Sequence, residues 1–306
     1  MANDGGVSGL TAEEFDALMD VPSDDEALVR VSREWVAAMI ADMGVCPFTT
    51  SAAKAGLPLG EVHYPVSRVA LGEEMYRDYW HEVALLESAP ARSLSTTLLI
   101  TPHFGLSNME AFMAFTDTLN NPLEPLRLED SVQLVFFHPQ WVFRDGRERQ
   151  GADSAGNFAR RSPFPMINIL RTPQVRIAQR AIPTGRVYQQ NEATLDAVGA
   201  APLQRMLIDR DWEGLRAHRV DRRSNELYDT AQRLVEQYAA KAGGAGGEVG
   251  GGVVGGDEGE GAAAASAPPA ASPDILDTMD ITSILAAVEK LEEERQGRRD
   301  AAAPIA

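Results

Sequence analysis

Apolar side chains recur at steps of three and four residues through Leu28, Val31, Trp35, Met39 and Met43, which places them on one face of a helix spanning about residues 23–45. Ser23 and Glu26 stand at the spacing of a capping box before it, and Gly44 and Pro47 supply the stop signals. Val62, Tyr64 and Val66 then alternate as a strand does, with Pro65 pointing to an edge position because it has no N–H for the ladder. A helix over residues 72–88 carries Met75, Tyr79, Val83 and Leu86 on one side. Thr96–Ile100 reads as a buried strand. Ser107 and Glu110 form a second capping-box spacing before a helix bearing Phe112, Phe115 and Leu119, and Val132–Phe137 reads as the third strand.

A helix followed by βαβαβ predicts an α/β fold: a single compact domain with a small, mostly parallel sheet flanked by helices, plus disordered acidic tails. A fourth strand is expected around Gly185–Tyr188, and two helices within residues 201–240. The chain accordingly divides into a disordered acidic tail over 1–22, an α/β core over 23–240, a flexible linker over 241–273, and a short amphipathic helix with its tail over 274–306. From Gly243 to Pro273 the residues are almost all Gly, Ala, Ser, Pro and acids, which cannot bury enough surface to offset the entropy of ordering. Beyond that linker, Ile275, Met279, Ile281, Ile284, Leu285, Val288 and Leu291 repeat at helical spacing. A lone helix of this length is marginal in water, so it either frays or folds back on its own core, or docks a protein partner through residues 274–299.

The formal net charge of −17 and the pI of 4.7 are distributed unevenly. Residues 1–26 hold eight acids and no base, residues 241–306 hold twelve acids against five bases, and the stretch between nets only −2. A nucleic-acid binder needs a basic face, so no nucleic-acid partner is expected. No hydrophobic run approaches the 18 residues of a membrane span, so no membrane partner is expected either. The single cysteine rules out an intrachain disulfide framework and fits a reducing compartment. A cytoplasmic location is the expectation, with a plastid as the alternative if a transit peptide has been removed.

Candidate chemistry gathers at the carboxyl ends of the strands, where open parallel sheets bind ligands. His138 directly follows the strand Val132–Phe137, and His103 follows Thr96–Ile100. A neutral imidazole at that edge suits acid/base work, the plain alternative for His138 being a hydrogen bond that caps a turn. Between residues 144 and 186 stand nine arginines against Asp145, Glu148 and Asp153. Arginine offers a rigid fork of donors for carboxylate or phosphate. Arg161 is the first choice for an anion clamp, because Ser162, Pro163 and Pro165 restrict its backbone and Asn157 is near enough to add an amide. Arg171 is the second. Cys46 is a candidate nucleophile, although it follows a helix whose C-terminal dipole disfavours a thiolate; an inert buried thiol is the ordinary alternative. Cys46, His103 and His138 are all zinc-ligand types, but no ligand-pair spacing joins them, and no metal is expected. No Gly-x-Gly-x-x-Gly or Walker loop is present, which leaves the cofactor unknown.

Cys46-Pro47-Phe48, Phe137-His138-Pro139 and the stretch Asn157 to Arg171, with Arg161-Ser162-Pro163-Phe164-Pro165 inside it, together resemble the domain-of-unknown-function 1415 family over roughly residues 27–182. The resemblance implies a compact soluble protein and brings no established activity. It also implies that many bacterial members have a histidine where this chain has Asn168, so no role carries over to that position.

These readings lead to a small-molecule enzyme, by group transfer or hydrolysis on an anionic acyl or phosphoryl compound. Arg161 and Arg171 would clamp the anion with Ser162 and His103 nearby, His138 would be the acid/base, Asn157 would orient, and Cys46 would be the nucleophile. The alternative is a non-catalytic module that binds a ligand or protein and recruits a partner through its C-terminal helix.

Overall fold

The computed structural model describes residues 11–143, 151 and 153–244. Five strands form one mixed sheet in the order β1-β2-β3-β5-β4, with β1 at Lys54–Ala55, β2 at Gly60–His63, β3 at Leu94–Ile100, β4 at Val132–Phe137 and β5 at Met166–Arg171. Eight α-helices accompany it among the described residues: α1 (Ala12–Met19), α2 (Asp25–Trp35), α3 (Gly72–Ser88), α4 (Met109–Asn120), α5 (Thr172–Ala181), α6 (Thr184–Val198), α7 (Ala200–Asp209) and α8 (Glu226–Gly244). The first compact unit of the chain ends at Ala240.

The α/β class and the flanking helices agree with the hydrophobic pattern, but the sheet is not mostly parallel. β2 and β3 pair in parallel, whereas β1 with β2, β3 with β5 and β4 with β5 are all antiparallel. The three expected strands β2, β3 and β4 do point the same way. The reason for the difference is β5, which enters the gap between β3 and β4 and runs against both. Its residues Met166, Ile167 and Ile169 are fully buried, as a central strand requires. The fourth strand expected around Gly185–Tyr188 lies instead within α6.

Alternation along β4 sorts its aromatic side chains to opposite faces. Phe137 meets Trp35 of α2 edge-on at 5.2 Å, while Phe136 faces Phe112 of α4 at 6.4 Å. One core therefore joins α2 and the π-helical turn Val36–Asp42 to Leu98, Ile100, Phe137 and Met166, and includes Leu18, Leu195, Leu203 and Leu207. Leu99, Ile167 and Ile169 turn to the other face, where α3 packs. Leu134 is only half-buried, because β4 closes the sheet and has a neighbour on one side alone.

Three local expectations also shift. Asp24, rather than Ser23, caps α2, its carboxylate accepting from the amides of Glu26 and Ala27. Asn108, rather than Ser107, caps α4 by accepting from Ala111. Residues 11–19, expected to lie in a disordered tail, instead form α1, for which the Thr11 hydroxyl and the Glu14 carboxylate make a reciprocal capping box. Leu18 of α1 is 1% exposed, and the carbonyl of Asp20 accepts from the Arg210 guanidinium. The first four residues of the linker expected over 241–273 lie in α8 instead, and the rest of it and the C-terminal helix over 274–306 lie outside the described residues.

Candidate functional site

His138 leaves the end of β4 and is wholly buried. Its Nε2 lies 3.0 Å from the Gly105 carbonyl, to which it donates, and its Nδ1 accepts the Gln140 amide at 3.1 Å. These partners select the neutral ring with its proton on Nε2. Burial pushes its pKa down to about 4, against the opposing pull of the Gly105 carbonyl. Gly105 is placed for this contact by a left-handed backbone (φ 69°) and by its missing side chain, since a Cβ there would crowd Phe112. His103, in the same turn, is exposed.

The main chain of His138 is fixed as well, its amide donating to the Arg160 carbonyl at 3.1 Å and its carbonyl accepting from Trp141. Asn157 ties the following loop shut. Its Oδ1 accepts from the Phe143 amide at 3.0 Å, and its Nδ2 donates to the Gly151 carbonyl at 2.7 Å. Arg161 is 5% exposed, donating through Nε to the Trp141 carbonyl and through a terminal nitrogen to Gln204 of α7, with its guanidinium 4.8 Å above the Phe158 ring. Burial lowers its pKa to about 10, with Asp153 opposing. Ser162 donates its hydroxyl to the Phe164 carbonyl at 2.5 Å. His138, Asn157, Arg161 and Ser162 are thus all buried polar side chains bonded to protein groups, whereas His103 stands on the exposed part of the Gly105 turn.

Arg171 stands apart from them. It pairs with Val132 at the start of β4, whereas His138 follows the other end, six residues further on and about 20 Å away along the strand. Its guanidinium donates to the carbonyls of Leu94, Leu86 and Ala89, and so closes the C-terminal end of α3.

Cys46 is half-buried against the α2 side of the core. The turn that carries it is held from the far end of the chain. Arg222 donates to the carbonyls of Ala41, Pro47 and Thr49, Asn191 donates to that of Val45, and the Tyr228 hydroxyl donates to that of Gly44. Burial, with a contribution from the Cys46 thiol and opposed by Arg222, raises the Tyr228 pKa to about 12. Gly44 (φ 71°) admits this contact, because a Cβ there would meet the Tyr228 ring and hydroxyl. Among the described residues, no hydrogen bond or ion pair links Cys46 to His138 or Arg161. Nor do those residues contain a group of three or more His, Cys, Asp or Glu placed to hold a metal ion.

A profile built from a family described as proteins of unknown function, DUF1415, matches residues 27–205, more than half of the chain. The chain belongs to the DUF1415 family. The three sequence pieces that suggested this lie inside the matched span, and no curated protein and no solved structure matches the chain. The DUF1415 match stops short of Arg222 and Tyr228, which hold the Cys46 turn. Asn168 lies on β5, its Oδ1 accepting from the Thr96 hydroxyl at 2.6 Å.

Sequence reading missed a second feature. A cleft of about 720 Å³ runs along α2 and is lined by Val29, Arg30, Arg33, Glu34, Ala37, Tyr64 and Val66, with Asp25 and Glu26 at one end. The Arg33 guanidinium sits 5.2 Å over the Tyr64 ring, and Asp25 is engaged by Arg68 at 2.6 Å. Arg30 is exposed and has neither hydrogen bond nor ion pair among the described residues. The only available signal was the polar side of the same amphipathic helix, where arginine and glutamate ordinarily indicate a solvated surface. No helix among the described residues is long and apolar enough to cross a membrane.

Proposed function

We propose that this DUF1415 chain is a non-catalytic binding module whose ligand occupies the cleft along α2. The observation that carries this reading is the cleft itself: it has ligand-site volume, an apolar floor of Val29, Ala37 and Val66, and a guanidinium with no partner in Arg30. An anionic ligand with an apolar body would set its carboxylate or phosphate on Arg30 and Arg33 and its body against Tyr64. Glu26 and Glu34 beside them favour a ligand that also carries a positive group, as a peptide or amino-acid derivative does. Recruitment of a protein partner through residues 274–299 is compatible with this role.

A group-transfer or hydrolytic enzyme acting on an anionic metabolite is the second reading, favoured by the near-complete burial of the Arg161 cation beside His138 and Asn157. The pairing of both His138 ring nitrogens with main-chain groups favours the binding reading, since a general base must have an acceptor facing its substrate.

The test is a thermal-shift screen of the full chain against anionic metabolites and short peptides, repeated with the double variant Arg30→Ser, Arg33→Ser. A ligand at a hundred times its Kd stabilises by about 2.7 kcal/mol, a shift such a screen resolves. Hits lost in the double variant with the compound recovered unchanged are expected. Hits that survive in it, or chemical turnover abolished by His138→Gln, would move the function to the His138 loop.

A further inference from the structure

The cleft along α2 has two walls that run side by side. Arg68, on the segment that leaves β2, holds Asp25 at 2.6 Å, and the Arg33 guanidinium sits 5.2 Å over the Tyr64 ring. Between these two bridges the strand wall advances from Tyr64 to Arg68, about 13 Å at extended rise, and α2 from Asp25 to Arg33, about 12 Å at helical rise. The walls therefore match in length and run in opposite chain directions. Glu26, Val29, Arg30 and Arg33 fall at three- and four-residue steps and share the helix face that lines the cleft. The side chains of Glu26, Arg30 and Arg33 are exposed, with no hydrogen bond or ion pair among the described residues, whereas Asp25 is taken by Arg68. The strand wall offers main-chain groups as well. The Ile100 amide donates to the Pro65 carbonyl and the Ser67 amide to the Ile100 carbonyl, both at 2.9 Å, so Pro65 and Ser67 turn toward β3. Val66 between them turns its N–H and C=O away from the sheet. Val66 is half-buried on the cleft, and neither of these groups has a partner among the described residues.

Resting on the reading of this cleft as a ligand site, we propose that its ligand is a peptide of three residues with both termini free, bound in extended form. A ligand residue that runs antiparallel to Val66 exchanges both main-chain bonds with it, donating to its carbonyl and accepting from its amide. That direction is parallel to α2. It brings the ligand's ammonium to Glu26 and its carboxylate to Arg30 and Arg33, the order in which the helix face sets its own charges. Main-chain direction and charge order are separate observations, and they agree. Length agrees with both: Glu26 to Arg33 spans about 10 Å along the helix, which is the reach of three extended residues. Val29 and Val66 each lie about 6 Å from the Arg68–Asp25 bridge along their own walls, and so stand opposite each other. The residue paired with Val66 points its side chain to the same face of the sheet, toward Val29, which selects an apolar side chain at the centre of the ligand.

The probes are alanyl-valyl-alanine and alanyl-leucyl-alanine, titrated into the full chain by calorimetry. Both are expected to bind, and to bind about fivefold more weakly or worse as depsipeptides in which an ester oxygen replaces the central N–H. N-acetylation should weaken binding to the wild type but not to Glu26→Gln, and amidation of the carboxyl should weaken binding to the wild type but not to the double variant Arg30→Ser, Arg33→Ser. Val66→Pro removes an amide that β3 does not use and should weaken binding as well; if melting shows that it unfolds the chain, the depsipeptides decide. Tripeptides that fail to bind, while other anionic compounds bind and are lost in the arginine double variant, overturn the peptide and leave the cleft as a ligand site. A chain that binds neither overturns both readings. Depsipeptides that bind as tightly as the peptides overturn the main-chain pairing with Val66, and an acetylated peptide that binds as tightly as the free one overturns the direction.

Discussion

His138 binds fewer protons in the folded chain than in the unfolded one between about pH 4 and the ordinary histidine value of 6.5. Its neutral form contributes stability that is fully present above pH 6.5 and lost as pH falls toward 4, about 3 kcal/mol at most. Glu82 acts in the opposite sense. Burial raises its pKa despite His63, 3.5 Å away, and His81, so its cost is relieved as pH falls. Melting measured from pH 4 to 8 should therefore show the gap between wild type and His138→Gln closing toward acid; a gap independent of pH would mean that the ring is charged in the fold. Arg161→Ala should cost about 2–4 kcal/mol in thermal or urea unfolding, since it strips donors from the Trp141 carbonyl and Gln204. Arg30→Ala, on the exposed face of α2, should stay within about 0.5 kcal/mol of wild type. Residue types in the sequence picked out His138, Asn157, Arg161 and Ser162, but could not reveal that His138, Asn157 and Ser162 bond to main-chain groups and Arg161 to the Trp141 carbonyl and Gln204. That is a matter of loop geometry, and Arg171 shows it best, since its three carbonyl partners lie 77 to 85 positions away.

Helices with a continuous apolar stripe were legible almost to the residue, as α3 shows, because burial of one face fixes a period that survives in the sequence. β5 was hidden. Being covered on both faces it has no alternation, and its buried run stands between Pro165 and a helix start in a stretch whose arginines and prolines read as loop. α1 was obscured by its acids, although Thr11 and Glu14 carry the capping-box signature. Thr11→Ala should cost about 0.5–2 kcal/mol and Leu18→Ala about 2–5 kcal/mol by urea unfolding; a neutral Leu18→Ala would return α1 to the status of a tail. Within β4, the bond from the Thr172 amide to the Ser131 carbonyl turns Gln133, Val135 and Phe137 toward β5, so hydrogen exchange should find their amides slower than that of half-buried Leu134. Uniform protection would contradict the assigned register.

At the scale of the whole molecule, the compact unit that ends at Ala240 is expected to fold without residues 245–306. A chain ending at Gly244 should melt within about 2 °C of the full chain, whereas one ending at Arg205, the limit of the family match, should lose its cooperative transition. Arg222 and Tyr228 reach back 173 to 184 positions to close the turn around Cys46. On a ribosome, the first fifty residues would then be made long before the groups that lock them arrive. The α2 turn should remain open, with its cysteine accessible to thiol reagents, until the emerging chain includes Tyr228, so nascent chains arrested before and after that point should differ in the labelling of one sulfur atom.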